Sequence, residues 1–251
     1  MATAIATKLD ADERQARIDL AAAFRLTARF DWHEAVGNHF SLALDPEGRH
    51  ILINPRWKHF ARIKASDLLL LDVGDTAVMQ RPDAPDLTAW CIHAALHRLR
   101  PEIRCVLHTH MPYATTVTSL EDSRVLPIHQ NSARFWGRIA YDDAYGGLAL
   151  SSDEGERMAS VLGDKSILFL KNHGVIVTGH SVAHAFNELY FLEKACQHLI
   201  LAYSTGKPLH IISDNLAAEA ARQTAAYQGF PEAHFSELKV LLDAEDNSYA
   251  A

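Results

Sequence analysis

Two direct strand–turn–strand returns, set in a chain that otherwise alternates strands with helices, constrain this fold most. In the first, Phe40, Leu42 and Leu44 alternate with Ser41 and Ala43, as on a half-buried strand. Asp45-Pro46-Glu47-Gly48 then turns, and Ile51-Leu52-Ile53 returns before Asn54-Pro55. In the second, Ile167-Leu168-Phe169-Leu170 passes through Lys171-Asn172-His173-Gly174 into Val175-Ile176-Val177. Such short returns force antiparallel pairing, while interleaved helices require sheet faces to cover. The expected class is therefore α/β, a single three-layer α/β/α domain around a central mixed, largely antiparallel sheet. A chain of 251 residues with 48% hydrophobic content supplies one sizeable core.

The remaining elements fit that scheme. Asp10 followed by Glu13 predicts a helix start, and the helix should run to about Phe30. Leu68 to Val73 reads as a strand, with Gly74-Asp75 turning into Thr76-Val78-Gln80. A helix is expected over Thr88 to Leu99, stopped by Pro101, and another from Pro112 to about Leu120. Ser152 is the expected cap of a helix carrying Met158 and Val161. Ser181 should cap the longest helix, from Val182 to about Tyr203. The final forty residues read as alanine-rich helix split by Pro231.

Composition excludes several functions. With 24 Lys+Arg against 31 Asp+Glu, the net charge of −7 disfavours nucleic acid and anionic membranes. No apolar run approaches membrane-spanning length, and the N-terminal residues lack a secretory layout, so a cytoplasmic protein is expected. Cys91, Cys105 and Cys196 are odd in number and widely spaced, which points to buried free thiols.

The unusual count is 15 histidines. His108 and His110 stand two apart at the end of the apolar strand Cys105-Val106-Leu107, so their rings share a face. His173 stands at the Gly174 turn. Three imidazoles suit Zn²⁺ with one open position, although two histidines hydrogen-bonded at a strand end would look the same in sequence.

Four segments occur in order: Gly37-Asn38-His39-Phe40-Ser41, Ile53-Asn54-Pro55, His108-Thr109-His110-Met111-Pro112 and Leu170-Lys171-Asn172-His173-Gly174. Together with Ala185 to Glu193, they resemble the class II aldolase/adducin family over about residues 17–205, leaving 208–251 as a helical extension. The wording is more similar to the adducin-like branch than to the sugar-phosphate aldolases. The resemblance implies that His108, His110 and His173 bind Zn²⁺, or another divalent ion such as Mn²⁺, Co²⁺ or Fe²⁺. It also implies a homo-oligomer, commonly a tetramer.

The chain departs from those aldolases at the acid/base glutamate, whose place falls on Ala89. Arg56-Trp57 and Leu87-Thr88 stand where the aldolases hold a phosphate, while Asn38 and Ser41 persist as substrate-binding candidates. Arg56 could grip a carboxylate with Trp57 as a wall, or merely pack its stem on the indole. His93, one turn after Ala89, and Tyr113 are the candidates for proton transfer; a core histidine is the commoner role for the first, and a packing tyrosine the alternative for the second. Gln130, beside His129, falls near where the aldolases receive a neighbouring subunit's tyrosine. Glu121 reads as a solvated loop charge and His180 as structural.

The resemblance implies a metal-dependent carbon–carbon lyase, aldolase-like or decarboxylating, acting on a small hydroxy-carbonyl or hydroxyacid through a metal-stabilised enolate. A non-catalytic adducin-like interaction module and, more weakly, a sugar epimerase are the alternatives.

Overall fold

The computed structural model describes residues 2–251, with side chains from residue 11 onward. Among these residues, seven strands form one sheet: β1 (His39–Ala43), β2 (His50–Ile53), β3 (Leu69–Asp72), β4 (Cys105–Thr109), β5 (Ile139–Asp142), β6 (Ile167–Leu170) and β7 (Gly174–Gly179). Their spatial order is β3-β2-β1-β4-β7-β6-β5, and only β5–β6 is parallel. The two returns read from sequence are the β1–β2 and β6–β7 hairpins.

Among the described residues, eight α-helices accompany the sheet: α1 (Ala2–Arg29), α2 (Leu87–Leu99), α3 (Pro112–Thr118), α4 (Gln130–Ala133), α5 (Ser152–Leu162), α6 (Val182–Ser204), α7 (Asp214–Ala226) and α8 (Phe230–Glu245). The side-chain period of two divides the sheet between two helical layers. On β4, Cys105 and Leu107 join the cluster built by α1, α3, α6 and α8, whereas Val106 joins Ile92 and Leu96 of α2 and Met158 of α5. This is the expected three-layer arrangement. Among the described residues, no helix is long and apolar enough to cross a membrane. Cys91, Cys105 and Cys196 are buried free thiols.

Four local expectations change. Helix α1 begins at Ala2, so Asp10 is not its start, and Glu13 pairs with Arg17 at 2.8 Å within the helix. Thr76–Gln80 does not extend the sheet, because Asp75 Oδ1 accepts the Ala77 N–H at 2.8 Å and Val78–Gln80 coils into a 3-10 turn. The position before α5 is Ser151, with Ser152 already helical. Strand β5 was not expected at all. It is a half-buried edge strand whose mixed sequence, Ile139-Ala140-Tyr141-Asp142, shows no clean alternation.

The C-terminal extension packs on its own chain. Phe235, Leu238 and Leu242 of α8 are buried in the main core, and Lys239 Nζ reaches Asp19 Oδ1 at 2.6 Å. Pro231 lies in the first turn of α8, where a missing N–H costs nothing.

Antiparallel register gathers particular termini at one sheet end. His39 at the start of β1 pairs with His108 near the end of β4. The end of β2, at Ile53, and the start of β7, at Gly174, lie at the same end.

Candidate metal centre

Strand β4 carries His108, fully buried, while His110 lies just beyond its last residue. His173 closes the turn into β7, where its N–H donates to Leu170 O at 3.1 Å. Asn172 takes the left-handed conformation in that turn, with φ of 55°. Asparagine tolerates this better than most residues. Gly174 is needed for a different reason than turning: a Cβ there would sit 2.6 Å from Thr109 O and 2.7 Å from His110 Cδ2. A glycine lets the two chain segments approach closely enough to face their histidines.

One nitrogen from each of His108, His110 and His173 lies within 4.8 Å of the others. The outer nitrogens are committed elsewhere. His108 Nδ1–H donates to Val175 O at 3.0 Å, and His110 Nδ1–H donates to Glu34 Oε2 at 2.6 Å. In the neutral rings both Nε2 atoms therefore present lone pairs, and they face each other at 3.2 Å. Lone pairs this close need a cation or a shared proton between them. Bonds of 2.0–2.1 Å at a tetrahedral angle set ligand nitrogens about 3.3 Å apart, so the spacing fits zinc or a similar ion. Burial pushes His108 well below the ordinary histidine range and His173 down to about 4, keeping both neutral as ligands must be. Outer partners such as Val175 O and Glu34 orient metal-binding rings elsewhere too.

Asn38 braces this arrangement indirectly. Its Oδ1 accepts the Glu34 N–H at 2.7 Å, holding the loop that supplies the carboxylate to His110. Its buried Nδ2 has no partner among the described residues.

The other predicted residues divide by position. Ser41 and His93 are fully buried and touch each other, so neither opens directly onto a substrate; His93 Nε2 bonds His39 Nδ1 at 2.8 Å. Tyr113 packs against the α1/α6 core, and its backbone N–H donates to Glu193 Oε1 at 2.9 Å. Arg56 and Trp57 follow β2 at the histidine end, with the guanidinium 4.8 Å from the indole centroid. Trp57 is 68% exposed and has φ of 61°, an unusual conformation for a bulky residue. Arg56 therefore stacks on Trp57 at the surface, without an ion pair among the described residues.

Gln130 lies elsewhere, in a cavity of about 1190 Å³ between α4, α6 and the C-terminal helices. His180 lines the same cavity and packs its ring on His184 at 4.4 Å. There Arg134 Nη2 donates to buried Glu188 Oε1 at 2.9 Å, and Arg138 Nη1 lies 2.9 Å from Oε2 at an angle too poor for a hydrogen bond. Glu121 is exposed. Ala89, at the position of the aldolases' glutamate, is 1% exposed and packs with Ile51, Ile53 and Val78.

Sequence reasoning missed Glu34 and His39. Glu34 comes from an irregular loop with no pattern to single it out. His39 did carry a signal: it shares a strand face with Ser41, and His93 and His97 are four apart on one helix face.

The sequence model described as "Class II Aldolase and Adducin N-terminal domain" matches residues 18–200. A Caulobacter vibrioides protein provisionally named an aldolase class 2 protein is 32% identical over 86% of this chain and 83% of its own. Human beta-adducin is 30% identical over 81% of this chain but only 28% of that protein. The crystal structure of an aldolase II superfamily protein from Pseudomonas syringae superposes with a TM-score of 0.86, 34% identity and 96% coverage of both chains.

Proposed function

The chain belongs to the class II aldolase/adducin family, and on that premise we propose that it is a metal-dependent carbon–carbon lyase acting on a small, non-phosphorylated hydroxy-carbonyl or hydroxyacid. One observation carries this reading: His108 and His110 have both spent their Nδ1 hydrogens on fixed partners and face each other through bare Nε2 atoms beside His173. An interaction scaffold has no use for three imidazoles arranged so tightly.

His108, His110 and His173 would hold a divalent ion, with zinc the best match to the donor set. When bound, that ion supplies Lewis-acid stabilisation to negative charge developing on a carbonyl or carboxylate oxygen. Val175 O and Glu34 hold two of the rings in their ligand tautomers, and Gly174 keeps the third strand close. Arg56 offers a guanidinium at the same sheet end, suited to a carboxylate rather than to a buried phosphate cradle.

The apolar packing around Ala89 favours decarboxylation over aldol cleavage. Loss of CO₂ from a carboxylate β to a carbonyl breaks a C–C bond without first removing a proton, its electron pair passing into an enolate that takes up a proton afterwards, whereas retro-aldol cleavage needs a base at the hydroxyl. The partners of this site are a small-molecule substrate and further copies of the chain, the family's tetramer being the expected assembly.

The test is a panel of small hydroxyacids and hydroxy-carbonyls offered to zinc-, manganese-, cobalt- and iron-loaded protein, with products followed by proton NMR and CO₂ release. Turnover with at least one compound, lost in His173→Ala, is expected. Metal-loaded protein that cleaves nothing in the panel would favour the adducin-like scaffold, which the absence of a carboxylate at position 89 already suits.

A further inference from the structure

Beneath the candidate metal centre, four buried side chains form one hydrogen-bonded line from α2 to the start of β1. Its direction follows from a single fixed point. His97 Nδ1 lies 3.2 Å from Ile103 O, and a carbonyl only accepts, so Nδ1 carries the hydrogen and Nε2 is bare. Ser41 Oγ, 2.7 Å from that Nε2, must therefore donate to it. Having one hydrogen, Ser41 can only accept from His93, whose Nδ1 touches Oγ; His93 Nδ1 is then protonated and Nε2 bare. His39 Nδ1, 2.8 Å from His93 Nε2, must donate in turn. The last atom of the line, His39 Nε2, is left with a lone pair.

Three features place that lone pair in use. His39 Nε2 has no partner among the described residues, yet it is absent from the sealed, orphaned atoms, so the 3% of His39 that is exposed includes it. The ring packs 4.7 Å from that of His108 at 32°. Burial also holds His93 and His97 neutral, as the tautomer argument requires. Free histidine prefers its hydrogen on Nε2, so the line imposes the opposite form.

Resting on the metal-site reading above, we propose that His39 Nε2 is the acceptor that selects a hydroxyl on the ligand, adjacent to the oxygen the metal would hold. Ser41, His93 and His97 are positioning residues that fix its tautomer. A site built around an unpaired acceptor discriminates against compounds lacking the matching O–H. The ligand class narrows accordingly to 2-hydroxyacids and 2-hydroxy-carbonyls with a free hydroxyl.

Two measurements test this. Neutron diffraction from crystals of the deuterium-exchanged, zinc-loaded protein reads the hydrogens directly. Deuterons on Nδ1 of His39, His93 and His97, with none on their Nε2 atoms, are expected. Calorimetric titration with glycolate and methoxyacetate, which differ in the O–H, is expected to favour glycolate by roughly tenfold. That preference should vanish in His39→Phe and shrink in Ser41→Ala, while zinc content stays unchanged. A deuteron on His39 Nε2, or equal titration by the two acids including no binding by either, overturns the assignment and leaves the metal site standing. Failure to retain zinc would instead overturn the metal reading, and the deuteron positions in metal-free crystals would still decide the tautomer. The neutron result uses the wild-type chain and does not depend on any variant folding.

Discussion

Single atoms decide whether three histidines meet. Gly174 shows how narrow the tolerance is: Gly174→Ala would force a methyl to within 2.7 Å of both Thr109 O and His110 Cδ2. Neither neighbour can move freely, since Thr109 is held in β4 and His110 is tied to Glu34. The expected outcome is a 10- to 100-fold loss of zinc affinity, the scale of a disturbed outer shell, read by competition with a chromogenic chelator. Unchanged affinity would mean that the approach at Gly174 does not set the ligand geometry. At this scale the sequence was legible where a rule of geometry applied. The two-residue spacing of His108 and His110 on a strand predicts one face, and their ring nitrogens do converge. It was illegible where the partner comes from afar: Glu34 is 76 residues from His110, and nothing in its loop announces the contact. His39 stood in plain view within a motif, but its role depends on a tautomer fixed 58 residues along the chain at His97.

Among elements, the seam between β1 and α2 buries three histidines at an electrostatic cost. Burial lowers His39 to about 3 and His97 to about 4, and holds His93 well below the ordinary value of 6.5. The sign follows from linkage. Above pH 6.5 these rings are neutral whether folded or not, and they add no pH dependence. As the pH falls from 6.5 towards 4, the unfolded chain takes up protons that the folded seam refuses, so stability declines. Each ring kept neutral contributes a loss of about 1.4 kcal/mol per pH unit once the unfolded histidine is fully charged. Urea unfolding of the metal-free protein should therefore show a steep fall in midpoint between pH 6.5 and 4.5. A flat profile there would show that the seam takes up protons without unfolding. Element boundaries were legible wherever apolar period or a turn residue marked them, as in the β1–β2 and β6–β7 hairpins. Strand β5 was not, because an edge strand beside β6 has only one neighbour and a mixed sequence satisfies it. The α1 start was misread because a capping pattern inside an alanine-rich helix carries no local signal of being interior.

For the whole molecule, ordered motifs and the three-layer sheet agree with the family, and the sequence made both legible. The activity was less so, because the family joins enzymes and adducins on one scaffold and a fold does not choose between them. Position 89 sharpens that ambiguity, while the histidine cluster and the line behind it argue for retained chemistry. The central claim is that the sheet end is a working metal site. The most direct test is elemental analysis of the untagged protein after zinc loading and exhaustive dialysis, beside the variant His108→Ala, His110→Ala, His173→Ala. The account predicts about one divalent ion per chain in the wild-type protein and none in the variant. Wild-type protein that retains no metal, or a variant that retains as much, would contradict it.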